Sequence, residues 1–216
     1  MNIHLIRRIY YRLKVANASL RKSKFGIKRG YLHRNEVQKF DDSNLKDEYQ
    51  QEVYLRAVQV YHEHNLHGVL DFGCGSGYKL MKYFENASKA GVELDISYLK
   101  KIYPKEQWFA FNDSRWENYD AQLLLCSDVI EHVEDPDKLM QQLSRLHQIK
   151  YFIFSTPDRN LDMSPWKYGP PNNECHYREW TFEEFGAYVA QYFKVLEHTI
   201  TNPVQRTQMV ICCSRH

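Results

Sequence analysis

Residues 69 to 77 read Val69-Leu70-Asp71-Phe72-Gly73-Cys74-Gly75-Ser76-Gly77. A short apolar strand runs into an acid and then into three glycines at alternate positions. Glycine turns the backbone sharply and lets a ligand lie directly against it. A strand that enters such a loop and leaves as a helix builds a small-molecule cradle at the carboxyl end of a parallel sheet. A dinucleotide loop, G-x-G-x-x-G, would need its third glycine at position 78, which is Tyr78. Asp71 would repel a pyrophosphate, whereas it suits a cationic ligand that carries an ammonium and a sulfonium.

Working outward, residues 45–64 read as a helix with Tyr49, Val53, Ala57, Val60 and Tyr61 on one face, placed to close over a ligand. Strand 69–72 is followed by helix 77–86, strand 89–94, helix 96–102 and strand 107–111. Strand 122–127, helix 136–147 and strand 150–155 come next, then a long loop to residue 180. Helix 182–192 and strands 194–200 and 208–214 complete the order. Strands alternating with helices imply a parallel sheet covered on both faces. The short connection at Asn202-Pro203 makes the last two strands antiparallel. Thr181 followed three residues on by Glu184 is a capping box opening the helix at 182. Residues 1–44 are expected to form a basic arm, and residues 45–216 the domain.

Asp71-Phe72-Gly73-Cys74-Gly75-Ser76-Gly77 resembles the first motif of class I S-adenosylmethionine (SAM)-dependent methyltransferases. Gly91-Val92-Glu93-Leu94-Asp95 falls where that family ends its second strand. Cys126-Ser127-Asp128-Val129-Ile130-Glu131-His132-Val133 resembles the fourth-strand motif of the branch holding ubiquinone-pathway, small-molecule and glycan O-methyltransferases. The resemblance spans roughly residues 50 to 214. It implies a Rossmann-like, seven-stranded, mostly parallel sheet ending in an antiparallel hairpin, with SAM as cofactor. By the same resemblance the loop at Gly73, Cys74, Gly75 and Gly77 cradles the cofactor, and Glu93 accepts from the ribose hydroxyls. Asp95 reads instead as a helix N-cap. Asp113 falls near the adenine, Cys126 and Ser127 beside the methionine portion, and Asp71 near the amino group.

On the acceptor side, a hydroxyl that receives a methyl group must lose its proton, and histidine titrates close to neutrality. His132 and His176, with Glu131 beside them, are the candidates. Asp128-x-x-Glu131-His132, with His176 in Cys175-His176-Tyr177-Arg178-Glu179-Trp180-Thr181, also resembles the metal-binding pattern of small-RNA 3′-end 2′-O-methyltransferases. That resemblance implies a divalent ion held by Asp128, Glu131, His132 and His176, although the first acid here is Asp and one carbon shorter. The plainer reading of Glu131 and His132, a hydrogen-bonded pair opening the loop, is preferred to the metal. The loop from Thr156 to Trp180 is long enough for a lid. Its Trp166, Tyr168, Pro170, Pro171, Asn172, Asn173 and His176 suit stacking and hydrogen bonding to a sugar ring. Its two ends look like methyltransferases of surface-polysaccharide assembly. The expected activity is methylation of a hydroxyl on a small molecule or saccharide. An RNA 2′-O-methyltransferase is the alternative, and a SAM-binding regulatory protein without turnover the third reading, disfavoured by the intact set of acids and histidines.

Composition bounds the setting. The 216 residues suit one domain with an appendage. The net charge of +2 hides an asymmetry: residues 1–35 hold ten Lys or Arg and no acid, leaving nineteen basic against twenty-seven acidic residues elsewhere. In the arm, Ile3, Ile6, Ile9, Tyr10 and Leu13 recur at helical spacing among arginines. Such a helix either packs on its own domain or lies on an anionic membrane surface or polyanion. The five cysteines have neither zinc spacing nor a disulfide framework. With no signal-like core and no apolar run long enough to span a membrane, a reducing cytoplasmic location is expected.

Overall fold

A computed structural model describes residues 13, 14, 17, 23–38, 49–161 and 167–215 of the chain. Helix α1 (Gln51–Glu63) leads into β1 (Val69–Phe72), α2 (Tyr78–Tyr83), β2 (Lys89–Glu93), α3 (Ser97–Ile102) and β3 (Gln107–Ala110). Then come β4 (Leu123–Ser127), α4 (Pro136–Leu143), β5 (Tyr151–Pro157), α5 (Phe182–Val189), β6 (Lys194–Asn202) and β7 (Thr207–Cys213). The seven strands form one sheet in the order β3-β2-β1-β4-β5-β7-β6. The first five are parallel, and β7 runs antiparallel to both β5 and β6. The expected fold class is therefore found.

Alternation along each strand divides the core in two. Leu70, Phe72, Leu124, Cys126, Phe152 and Phe154 point to the face covered by α4 and α5, where Leu139, Leu143, Trp180 and Tyr188 meet them. Val69, Leu123, Leu125 and Ile153 point to the opposite face, under Val53, Ala57 and Val60 of α1, Leu80 of α2 and Leu99 of α3. Asp71 belongs by alternation to this second face, beneath α1.

Several element bounds differ from the sequence reading for identifiable reasons. Helix α1 begins at Gln51 because Gln50 stands at φ 65, a left-handed conformation that cannot continue a helix backward. Residues 45–48, where the helix was expected to start, lie outside the described residues, and Tyr49 precedes the helix, 47% exposed. Helices α2, α4 and α5 end at Tyr83, Leu143 and Val189, three or four residues before their expected ends at 86, 147 and 192. Turns such as Tyr192 N–H to Val189 O replace the final helical residues. Strand β5 runs two residues further than expected, since its pairing with β7 continues to Pro157 opposite Thr207. The arm residues Ile3, Ile6, Ile9 and Tyr10 lie outside the described residues, as does Trp166 of the loop.

Residues 23–38 run as a strap over the loop that follows β5. Leu32 N–H donates to Tyr168 O, Arg34 N–H to Tyr177 O at 2.8 Å and Gln38 N–H to Glu174 O at 3.1 Å. Ile27 and Tyr31 are buried in the same cluster as Trp180 and Tyr188. Among the described residues no helix is long and apolar enough to cross a membrane. The capping box forms as read: Thr181 Oγ1 accepts from Glu184 N–H at 3.2 Å, and Glu184 accepts from Thr181 N–H at 3.0 Å. Replacing Thr181 by Ala should lower the free energy of urea unfolding by about 1 kcal/mol and leave SAM affinity unchanged in calorimetry.

Candidate active site

At the carboxyl ends of β1, β2, β4 and β5 lies a cleft of about 760 Å³. Gly73, Cys74, Glu93, Ser127, Asp128, Glu131, His132 and His176 all line it. The glycine loop is built as its spacing demands. Gly73, Gly75 and Gly77 all have positive φ, at 75°, 53° and 70°. A Cβ on Gly73 would lie 2.3 Å from Val129 Cγ2, so only glycine lets the loop pass the start of the β4 loop. A Cβ on Gly77 would meet Leu99 and Trp108 at 2.9 Å, which fixes how closely α2 packs. Gly75 and Gly77 shape the turn, while Gly73 and Cys74 face the cleft itself.

The acids around this turn have different tasks. Asp71 is 1% exposed, and Tyr54 of α1 donates its hydroxyl to Asp71 Oδ2 at 2.7 Å. Sequence reasoning assigned Tyr54 no role; a polar tip on the apolar face of α1, in step with Ala57 and Tyr61, was the available signal. Glu93 accepts from Gly75 N–H at 3.0 Å and from Leu94 N–H at 2.7 Å, so its carboxylate braces the glycine loop at the cleft edge. Asp95 accepts from Ser97 N–H at 2.9 Å, but the N-cap of α3 is Ile96, so Asp95 stands one residue before the expected capping position. Asp113 stands apart. It caps the 3-10 turn Ser114–Asn118, and Arg115 pairs with it at 2.6 Å, pushing its carboxyl down to about 2. Phe111 and Leu94 line the cleft on that side instead, both exposed as flat apolar surface.

The end of the cleft beyond Ser127 is assembled from two loops. After β4, the 3-10 turn Ile130–His132 carries Glu131 and His132; after β5, the loop returns through Asn173 to Glu179. Tyr177 N–H donates to Glu131 O at 2.9 Å, and His132 Nδ1 donates to Cys175 O at 2.8 Å, joining the loops. His176 Nδ1 donates to Glu179 Oε1 at 2.7 Å. Since a carbonyl can only accept, and the Glu179 carboxylate likewise, each imidazole carries a proton on Nδ1, and the neutral form of either ring has its lone pair on Nε2. The rings meet edge to face, with centroids 4.6 Å apart. At His176 that lone pair receives Asn173 Nδ2, 3.0 Å away, which would have to swing aside for another occupant.

Glu131 is fully buried. One of its oxygens accepts from Thr156 at 3.0 Å, and the other, Oε1, has no hydrogen-bond partner among the described residues. One ligand atom each from Glu131, His132 and His176 lies within 4.8 Å of the other two. Asp128 stands outside this group. Its carboxylate accepts from Ser155 Oγ at 2.6 Å and from Gln50 Nε2 at 3.1 Å, and its own backbone is at φ 52. The short side chain is thus committed to β5 and to the approach of α1. Ser127 donates to or accepts from Ser155 at 2.8 Å in the same chain of contacts.

Burial raises the Glu131 carboxyl well above its ordinary value, with Asp128 adding to the effect, and raises Asp128 itself. Burial lowers His132 to about 4, with His176 adding to it. His132 is therefore uncharged at neutral pH, the state in which Nε2 can take a proton or a cation.

The sequence profile described as "Methyltransferase domain" matches residues 38–198, three-quarters of the chain. The fold and the glycine cradle together define a class I SAM-dependent methyltransferase, and the chain belongs to that methyltransferase family. No curated protein sequence matches it. Among solved structures it is similar to the small RNA methyltransferase HEN1, at 21% identity and a TM-score of 0.61, over 84% of this chain and 27% of that one. The methyltransferase domain of bacterial CtHen1 matches 76% of this chain and 98% of its own length, at 20% identity and a TM-score of 0.57. A SAM-dependent methyltransferase from Clostridium acetobutylicum matches 80% and 95%, at 13% identity and 0.61. SAM supplies an electrophilic methyl group on a sulfonium. The residues present fit it: a glycine-rich bend, a carboxylate, Glu93, at the cleft edge and a buried acid, Asp71, beneath.

Replacing Gly73 by Ala forces a side chain into the space held by Val129 at a left-handed φ. SAM affinity measured by calorimetry should fall about tenfold or more, and an unchanged affinity would remove the cradle from the cofactor site. A pH dependence also follows. Burial first, then Arg178, lowers His33 to about 4. An unfolded His33 takes up its proton near pH 6.5 and the folded one only near 4, so stability is lost as pH falls across that window. Glu131 and Asp128, raised by burial, act in the opposite sense. The difference in melting temperature between wild type and His33→Gln therefore isolates the His33 share, and should narrow from pH 7 to pH 4.

Proposed function

We propose that this enzyme is an O-methyltransferase acting on a hydroxyl of a saccharide or small molecule, with a divalent cation held by Glu131, His132 and His176. The observation that carries the reading is the convergence of one ligand atom each from Glu131, His132 and His176, all within 4.8 Å of one another, where the buried Glu131 carboxylate has one oxygen with no hydrogen-bond partner among the described residues. The donor set is chemically apt: one carboxylate and two imidazoles suit a divalent ion, and each imidazole is oriented by a hydrogen bond through its Nδ1. Such an ion would lower the proton affinity of a hydroxyl bound beside it. Asp128 has no part in this version, because its carboxylate is engaged elsewhere.

The chain's own residues do the rest. Loop and β2 carboxylate hold the cofactor, the return of the lid encloses the acceptor end, and Ser127 with Asp128 lines the path between them. Methyl transfer demands that the hydroxyl oxygen approach the methyl carbon opposite sulfur, so position is the main contribution. Asn172 and Asn173 at the cleft supply amide donors and acceptors suited to sugar hydroxyls. A second reading, a ribose hydroxyl of RNA, is favoured by the ten basic residues in the first 35 and by the small-RNA methyltransferases among the fold relatives.

The test is methyl-labelled SAM incubated with the enzyme and with cell extract fractionated into RNA, glycan, protein and small molecules. Label is expected in the glycan or small-molecule fraction as an ether stable to mild base. Label in RNA establishes the second reading, and label in protein overturns both. Chelation should abolish incorporation and added Mn²⁺ restore it; turnover indifferent to chelator removes the cation.

A further inference from the structure

The strap at residues 23–38 was read from sequence only as the end of a basic arm, yet its inner side reaches the groups that hold the two histidines. Arg178 is 2% exposed and lies two residues after His176. Its guanidinium donates to Val133 O and, at 2.8 Å, to Glu134 O, the carbonyls immediately after His132. Its Nε donates to His33 Nδ1 of the strap at 3.3 Å, and its plane lies 4.5 Å from the ring of Phe25. A buried guanidinium is expensive unless its donors are satisfied. Here backbone carbonyls of the His132 loop and the strap satisfy them, so the charge is bound to that geometry.

Glu179 is pinned in the same way. Its N–H donates to the Tyr31 hydroxyl at 3.0 Å, and its carbonyl accepts from Arg159 at 2.7 Å. Arg159 in turn lies 4.5 Å from the Tyr31 ring and pairs with Glu184 at 2.7 Å. The backbone of Glu179 is thus fixed at both ends, while its carboxylate holds His176 through Nδ1.

We propose that the strap is part of the catalytic apparatus: Tyr31 through Glu179, and Phe25 and His33 through Arg178, set where His176 and His132 stand relative to one another. Tyr31, Arg178 and Glu179 are positioning residues, since they touch the histidine-bearing loops and not the reacting atoms. Two separate lines, one to each imidazole, start from one nine-residue stretch, Phe25 to His33. Packing alone would need the apolar burial of Ile27 and Tyr31 but no hydroxyl on Tyr31 and no forked cation at 178. The proposal rests on the reading of Glu131, His132 and His176 as a cation site for its first measurement, and stands independently of it for the second.

The experiment compares wild type with Tyr31→Phe and Arg178→Lys in the full chain. Tyr31→Phe keeps the buried ring; Arg178→Lys keeps the charge but loses the fork that spans two carbonyls. Thermal melts establish which variants are folded, and Tyr31→Phe decides the matter if Arg178→Lys does not fold. Titration with Mn²⁺ alone should show affinity about ten- to hundredfold weaker in the variants, with SAM affinity as in wild type. Mn²⁺ affinity equal to wild type in the folded variants overturns the proposal. If wild type itself binds no Mn²⁺, the cation reading fails, and long-range proton–nitrogen NMR of the imidazoles decides for the strap. In that case His132 and His176 should be Nδ1-protonated in wild type and tautomer-mixed in the variants, and identical spectra overturn the proposal.

Discussion

Three carboxylates, those of Asp71, Asp128 and Glu131, are gathered at the carboxyl end of one sheet, and much of the surrounding structure is arranged to hold them there. Burying a carboxylate costs several kcal/mol unless donors or a counter-charge replace its water. Tyr54 answers Asp71, Ser155 and Gln50 answer Asp128, and Thr156 answers Glu131. These are hydroxyl and amide donors drawn from α1, from its approach and from β5. Among the described residues they satisfy the acids only in part, because Glu131 keeps an oxygen without a partner. Burial disfavours the charged forms of Glu131 and Asp128, so this end of the cleft gains from positive guests that stabilise them. The sulfonium and ammonium of the methyl donor supply one, and the cation inferred at Glu131, His132 and His176 would supply a second.

The sheet explains why these groups meet at all. Asp71 lies opposite Leu125 in the pairing of β1 with β4, and Ser127 opposite Ser155 in that of β4 with β5. Parallel pairing brings the strand ends level, so residues far apart in sequence reach the cleft from the same side. The loop after β5 must then fold back over the end of β4, and the bond from Tyr177 to Glu131 O is where it lands.

Much of this was legible beforehand, and the limits were physical. The glycine spacing, the alternating strands and the capping box at Thr181 are local patterns, and each was found in place. Asp128, Glu131, His132 and His176 were grouped by resemblance, and the structure brings the last three together while Asp128 stands outside them. The start of α1 was misjudged because a left-handed Gln50 has no sequence signature. Asp113 looked like a ligand residue, but Arg115, two positions away, already claims it. Tyr54, Arg178 and Tyr31 were missed because their partners lie 17, 45 and 148 residues distant, beyond any periodicity. A buried Arg in Tyr177-Arg178-Glu179 looks in sequence like any surface charge.

The sheet order has a consequence for how the molecule is made. Strand β7 lies between β5 and β6, although it is the last of the seven along the chain. A polypeptide emerging from its amino end has to keep the flank of β5 bare until residues 207–213 arrive to fill the slot. Exposed ladders of that kind invite pairing with strangers. During synthesis, then, the hazard for this protein is the wait for a closing rung.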